Sequence, residues 1–253
     1  MQDTTDSIGN RRIAMLIDSE NAQPSLIEKM MAETGKYGQV TIRRIYGDWT
    51  TPEMRSWREI LNTNAVRPIQ QFRNTVGKNS TDSALIIDAM DILNEGNVNS
   101  FCLVSSDSDF TLLATRIREK GLFVMGIGRK STPVAFTKAC EVFVFTEILQ
   151  PEKKIPNTDK PSKETKTSNI ITDPGPLLIN AFDMSVQENG WAFLGTMGEK
   201  LRQLDPSFDS RTYGYKQLSQ LIRAKKDTFE IRENKSRSGP SAIYVKLKEE
   251  RNP

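Results

Sequence analysis

Phe101-Cys-Leu-Val-Ser-Ser-Asp-Ser-Asp-Phe110 is the stretch on which the reading of this chain turns. Its first four residues are an unbroken apolar run, the pattern of a strand buried on both faces. The run stops at Ser105, and two carboxylates follow, Asp107 and Asp109. Phe110, Leu112, Leu113 and Ile117 then recur at helical spacing. A buried strand that ends in acids and passes into a helix is the building unit of a parallel α/β sheet. Such sheets bind ligands at the carboxyl ends of their strands. The acids therefore have two readings. Asp is a favoured helix N-cap, and negative charge there stabilises by ~0.3–1 kcal/mol. The other reading is half of a metal site.

Working outward, the same unit recurs. Arg11-Arg12 lead into the apolar run Ile13–Ile17, which ends at Asp18-Ser-Glu-Asn21. Pro24 opens a helix expected to reach Thr34, and Gly35 closes it. Val40–Tyr46 reads as a strand, Gly47-Asp48 as a turn, and Pro52 onward as a helix through Trp57, Ile60 and Leu61. Ala65–Gln70 reads as a strand near an edge, because Pro68 lacks an N–H. After the polar loop Arg73–Ser80, Thr81-Asp82 begins a helix with Leu85, Ile86, Ala89, Ile92 and Leu93 on one face. Beyond the opening unit come a strand at Leu122–Ile127, a short helix at Pro133–Ala139 and a strand at Val142–Phe145. Strands alternating with helices predict one doubly wound, Rossmann-like parallel α/β domain over residues 11–149. Residues 1–10 are polar and expected to be disordered.

Residues 150–172 mix Pro with Lys, Thr, Ser and Glu and have nothing to bury, as expected of a flexible linker. Residues 173–249 then hold helical patterns at Leu177–Asn189, around Met197 and Leu201, and at Tyr213–Ile222. The alternating Phe229–Arg232 and Ala242–Leu247 follow, predicting a small α+β winged-helix domain.

Composition narrows the chemistry. The 253 residues contain no His, which excludes Ser-His-Asp and Cys-His catalysis and His-ligated zinc. Acid–base work falls to carboxylates, Lys, Tyr or metal-activated water. Two cysteines without CxxC spacing argue against a disulfide framework or a zinc site and fit a reducing compartment. No apolar run approaches the ~20 residues of a membrane span, and no leader pattern opens the chain. A cytoplasmic protein without membrane contact is expected. Net charge is only +3, with the basic excess in the C-terminal part, a weak pointer to an anionic partner there.

Topology then weighs against capping alone. In the strand order 3-2-1-4-5, strands one and four are neighbours at the switch point. Asp18 then stands beside Asp107, and the helix begun by Asp82 returns to the same crevice. Converging carboxylates raise one another's pKa, and a divalent cation relieves them; hard oxygen donors select Mg²⁺ or Mn²⁺. Within the opening pair, Asp107 carries more weight than Asp109, which lies one step into the helix. At ~100° per residue, Asp88 and Asp91 lie about 240° and about 180° round from Asp82 and leave its face.

Three blocks carry a resemblance: Ile17-Asp-Ser-Glu-Asn21, Lys78-Asn-Ser-Thr-Asp-Ser-Ala-Leu85 and Ser105-Ser-Asp-Ser-Asp-Phe110, with Tyr46-Gly-Asp-Trp49 and Gly121-Leu-Phe-Val. Together they resemble the NYN domain of the LabA-like (DUF88) type, a PIN-like nuclease fold, from about Arg11 to Leu149. The resemblance implies RNA cleavage with Mg²⁺ or Mn²⁺, and metal roles for Asp18, Asp82, Asp107 and Asp109. It makes Asn21 a catalytic partner of Asp18, although an Asx turn explains Asn21 equally well. Thr81, Ser105 and Ser106 are candidates to hydrogen-bond the carboxylates, with capping the alternative, the stronger one for Ser106. Where the family often has an Ala-Asp step, this chain reads Cys140-Glu141, so Asp109 and Glu141 compete as fourth ligand.

Lys78, Arg73, Arg43, Arg44 and Arg67 are candidates to track a phosphate backbone, with Lys78 foremost. Trp49 could stack a base, whereas Trp57 reads as core. In the C-terminal part, Leu201-Arg-Gln-Leu-Asp-Pro-Ser-Phe208, Tyr213-Gly-Tyr-Lys-Gln-Leu218 and Phe229-Glu-Ile resemble the LOTUS (OST-HTH) domain. That resemblance implies binding of structured or single-stranded RNA, or of a protein partner. Lys225, Lys226, Arg232, Lys235 and Arg237 supply its basic helix end and wing. A homodimer stays open.

The expected function is a metal-dependent ribonuclease targeted by an RNA-binding winged helix. The rival is a catalytically silent RNA-binding regulator of the same fold, against which the complete Asp18, Asp82 and Asp107 set argues. A Toprim enzyme would want Glu at position 18, and a haloacid-dehalogenase phosphatase an Asp-x-Asp there, which Asp18-Ser-Glu20 does not supply.

Overall fold

The computed structural model describes residues 10–72, 80–150, 173–234 and 242–248. The chain divides into two compact units, Met1–Gln150 and Pro151–Pro253. Nearly all of the expected disordered start and linker lies outside the described residues, as do Arg73, Lys78, Lys235 and Arg237.

In the first unit, β1 (Arg12–Asp18), β2 (Gln39–Gly47), β3 (Arg67–Gln70), β4 (Ser100–Val104), β5 (Phe123–Gly128) and β6 (Val142–Phe145) form one parallel sheet. Their order is β3-β2-β1-β4-β5-β6. The helices are α1 (Ile27–Gly35), α2 (Arg55–Thr63), α3 (Ser80–Glu95), α4 (Thr111–Glu119), α5 (Val134–Ala139) and α6 (Thr146–Leu149). This is the expected doubly wound α/β architecture, with the chain reversing direction across the sheet between β1 and β4.

Every side chain from Ile13 to Ile17 is fully buried, as the unbroken apolar run requires of a central strand. Ile13, Met15 and Ile17 pack with Met30 of α1 and with Trp57 and Leu61 of α2. Ala14 and Leu16 face Leu85, Ala89 and Ile92 of α3 and Leu113 and Ile117 of α4. Burying each large aliphatic side chain stabilises by roughly 1.5–3 kcal/mol, so the site is carried on two full cores. Pro68 sits in β3, which among the described residues is an edge strand paired with β2. Leu112 departs from expectation: the buried stripe of α4 is Leu113, Ala114 and Ile117, and Leu112 is 81% exposed.

The second unit contains α7 (Gly175–Asp183), β7 (Ala192–Phe193), α8 (Leu194–Leu204), α9 (Leu218–Ala224), β8 (Phe229–Asn234) and β9 (Ala242–Leu247). Its antiparallel sheet runs β7-β9-β8. Leu178, Met197, Leu201, Ile222, Phe229 and Val245 form its core.

Two of its helices are shorter than their patterns. α7 stops at Asp183 because Val186 pairs with Ala192 and the intervening chain turns through Gly190, at φ 77°. The third helix starts only at Leu218. Ser210–Tyr213 is a 3-10 turn, and Gly214 at φ 84° takes a left-handed conformation that breaks any helix. Among the described residues no helix is long and apolar enough to cross a membrane.

Candidate metal centre

The carboxyl ends of β1 and β4 lie side by side, Ile17 opposite Val104. Each strand ends in a turn built by its own polar side chains. At the end of β1, Asp18 is 1% exposed. Its Oδ1 accepts from the Glu20 amide at 2.9 Å, and its Oδ2 from Asn21 Nδ2 at 2.6 Å and Ser105 Oγ at 2.9 Å. Burial holds its pKa above the usual carboxylate range, against the pull of those donors.

At the end of β4, Ser105 Oγ also accepts from the Asp107 amide at 3.1 Å. Asp107 is the N-cap of the turn Ser108–Phe110, its Oδ1 accepting from the Asp109 amide at 3.0 Å. The capping reading is thus correct, and it leaves the second carboxylate oxygen of Asp107 for other work. Asp82 enters from the first turn of α3.

Asp82, Asp107 and Asp109 each present one carboxylate oxygen within 4.8 Å of the others. Two oxygens on opposite sides of Mg²⁺, each at 2.0–2.1 Å, stand roughly 4.1 Å apart, so a small closure suits this donor set to the ion. Neighbouring acids raise the cost of ionising Asp82. Burial first, then the charges of Asp18, Asp107, Glu20 and Asp109, push Asp82 up to about 6.

The NYN-domain family model matches residues 12–149, more than half of the chain. The chain belongs to the NYN domain family. It also carries a C-terminal OST-HTH/LOTUS domain, matched over residues 166–240. No curated protein matches. A crystal structure of a protein of unknown function from Vibrio parahaemolyticus is 22% identical with a TM-score of 0.45, covering 56% of this chain and 94% of its own. A solution structure of an uncharacterized protein from Nitrosomonas europaea is 33% identical with a TM-score of 0.29, covering 41% and 96%. An NYN domain suggests a nuclease, and an OST-HTH domain suggests RNA binding.

Within the NYN domain the expected site residues take the following places. Asp109 joins Asp82 and Asp107, while Asp18, whose charge acts on Asp82, has both oxygens accepting hydrogen bonds. Asn21 holds Asp18. Of the polar candidates, Ser105 touches Asp18, Thr81 is buried, and Ser106 Oγ accepts from the Arg129 amide. Glu141 is corrected as a ligand candidate. It precedes β6 and accepts from the Val124 amide at 2.7 Å and Arg118 Nε at 3.1 Å, at the sheet edge opposite the acids.

The expected phosphate contacts are dispersed. Arg43 donates to the Asn64 carbonyl at 3.1 Å. Arg44 binds Asp88, which also accepts from the Tyr46 hydroxyl. Arg67 is exposed on the edge strand, beside an open groove of about 690 Å³ between the edge of the sheet and α3. Trp57 is core, and Trp49 Nε1 donates to the Ile69 carbonyl at 2.9 Å. In the LOTUS domain Arg232 and Lys226 are exposed, and Lys225 Nζ is 2.6 Å from Asp173. The sequence reading did not single out Glu20, whose charge acts on Asp82. Its place one residue before Asn21 in the same turn was the available signal.

Proposed function

We propose that this protein is a metal-dependent ribonuclease of the LabA-like type, brought to RNA by its LOTUS domain. The observation that carries the reading is the convergence of Asp82, Asp107 and Asp109 within 4.8 Å at the carboxyl end of a parallel sheet. These three would hold Mg²⁺ or Mn²⁺. A divalent ion in such a site polarises a phosphodiester and lowers the pKa of water. Asp18 adds negative charge that acts on Asp82, and Ser105 and Asn21 orient it. The caps at Asp107 and Asp18 pin the loops that carry the acids, so little reorganisation is needed. A tethered RNA-binding module raises the effective substrate concentration. Free, buried Cys102 and Cys140 agree with a reducing compartment, and we place the activity in the cytoplasm.

The test is incubation of the protein with mixed RNA and DNA in Mn²⁺ or EDTA, beside Asp107→Asn. Cleavage of RNA that needs Mn²⁺ and is lost in the variant is expected. Cleavage surviving both EDTA and the substitution would overturn the metal-nuclease reading. No cleavage of any substrate would favour the silent regulator.

A further inference from the structure

The loop between β5 and α5, Arg129-Lys-Ser-Thr132, lies beside the acidic trio and has no part in holding it. Its placement follows from register. Val104 pairs with Ile127, the Ser105 amide donates to the Ile127 carbonyl, and the Arg129 amide donates to Ser106 Oγ at 2.9 Å. Neighbouring strands are ~4.8 Å apart, so Arg129 stands one strand over from the residue that precedes Asp107.

The backbone of this loop is pinned at every turn. Thr132 donates to the Arg129 carbonyl from both its amide, at 2.9 Å, and its Oγ1, at 2.6 Å. The Lys130 amide donates to the Glu147 carboxylate at 3.0 and 3.1 Å. Gly128 approaches so closely that a Cβ there would meet the Ser105 carbonyl at 2.4 Å. The side chains of Arg129 and Lys130 are nevertheless exposed, and neither head group meets a carboxylate among the described residues. Arg44, Arg116 and Arg118, by contrast, are each tied to an acid.

We propose, resting on the nuclease reading of the site, that Arg129 and Lys130 grip the phosphates of a single-stranded RNA next to the bond held at the acidic trio. The electrostatics call for such a pair. The acids repel a polyanion, and two cations within a Debye length of ~8–10 Å offset that repulsion along one side of the site. The fixed backbone places the charges without ordering a loop on binding.

Two exposed apolar side chains select a single strand. Leu112, 81% exposed, and Val134, 70% exposed, stand on the first turns of α4 and α5, which both begin at this rim. Phe110 and Phe136, with ring centroids 6.4 Å apart, tie those two helix starts together. Apolar surface there suits unstacked bases, which a duplex keeps inside.

The experiment measures binding of the full chain to a labelled single-stranded RNA of about 12 nucleotides, in EDTA, between about 50 and 200 mM NaCl. Arg129→Gln/Lys130→Gln is compared with Lys29→Gln/Lys120→Gln, which removes the same charge from α1 and from the far end of α4. Thermal melting confirms that each variant is folded. The loop variant is expected to flatten the slope of log K against log salt by about 1.4, ~0.7 per lost phosphate contact, and the control by less than half of that. An unchanged slope, or a change equal to the control, overturns the proposal. A loop effect of equal size on a duplex of the same length overturns the single-strand assignment. Mn²⁺-dependent cleavage by the wild type is scored separately. Cleavage with an unchanged slope sinks the grip and spares the nuclease. A flattened slope without cleavage does the reverse.

Discussion

The hydroxyl of Ser105 donates to Asp18 Oδ2 at 2.9 Å and accepts from the amide of Asp107 at 3.1 Å. One side chain thereby couples the carboxyl ends of the two central strands. Replacing it leaves a buried carboxylate short of a donor and an amide short of an acceptor. Ser105→Ala should lower stability by about 1.5–3 kcal/mol, the range for a hydrogen bond to a charged group. It should also weaken Mn²⁺ binding about 10-fold or more, as for other residues that orient a metal site. Urea unfolding and a Mn²⁺ titration followed by melting temperature check both.

Asp82 offers a direct test of the proposed metal role. In the metal-free protein its ionised form is opposed by burial and by four neighbouring carboxylates. Asp82→Asn should therefore leave the melting temperature at neutral pH unchanged or higher, while abolishing the rise caused by Mn²⁺ and all RNA cleavage. A variant that melts lower without metal would contradict the geometry.

The same residue sets a pH dependence. Its pKa rises from 3.8 to about 6 on folding, so the folded state keeps a proton that the unfolded state has released. Its contribution to stability is complete below about 3.8 and is lost as pH rises through about 6. Protons and metal compete for the carboxylate, so Mn²⁺ stabilisation should be small near the lower value and grow across that window. Melting curves with and without Mn²⁺ across this range read it directly, and the dependence should vanish in Asp82→Asn.

Asp88 serves as the contrast. It accepts from Arg44 and from the Tyr46 hydroxyl, on the face of α3 turned away from the acids. Asp88→Ala strands a partly buried guanidinium and a buried phenol and should destabilise by about 1–3 kcal/mol. The Mn²⁺-induced rise in melting temperature should persist at its wild-type size, which no ligand substitution would allow.

Gly128→Ala would place a Cβ 2.4 Å from the Ser105 carbonyl and 2.7 Å from Thr132 Oγ1. The first obstacle is backbone, so β5 must move away from the end of β4. Overpacking of this kind is expected to cost about 1–3 kcal/mol. Cleavage should fall as well, since Ser105 and Ser106 hold both the acids and the basic loop. Chemical denaturation and initial rates report on each effect.

The amino-acid sequence by itself determined the doubly wound sheet, because a run such as Ile13–Ile17 has no polar face to turn to water and must be a central strand. With the common doubly wound strand order assumed, it also put Asp18 and Asp107 at one edge, and the observed order β3-β2-β1-β4-β5-β6 agrees. Local pattern was less able to fix helix limits near glycine, as at Gly214, where a backbone dihedral overrides side-chain periodicity. Only the tertiary structure decided which acids converge. Hydrogen bonds from Ser105 and Asn21 occupy Asp18, the cap at Asp107 carries Asp109 toward Asp82, and Glu141 falls at the opposite edge. Carboxylate roles depend on distances of a few ångströms between segments far apart in the chain. Periodicity encodes which face a residue occupies; it does not encode how far its oxygen stands from another's.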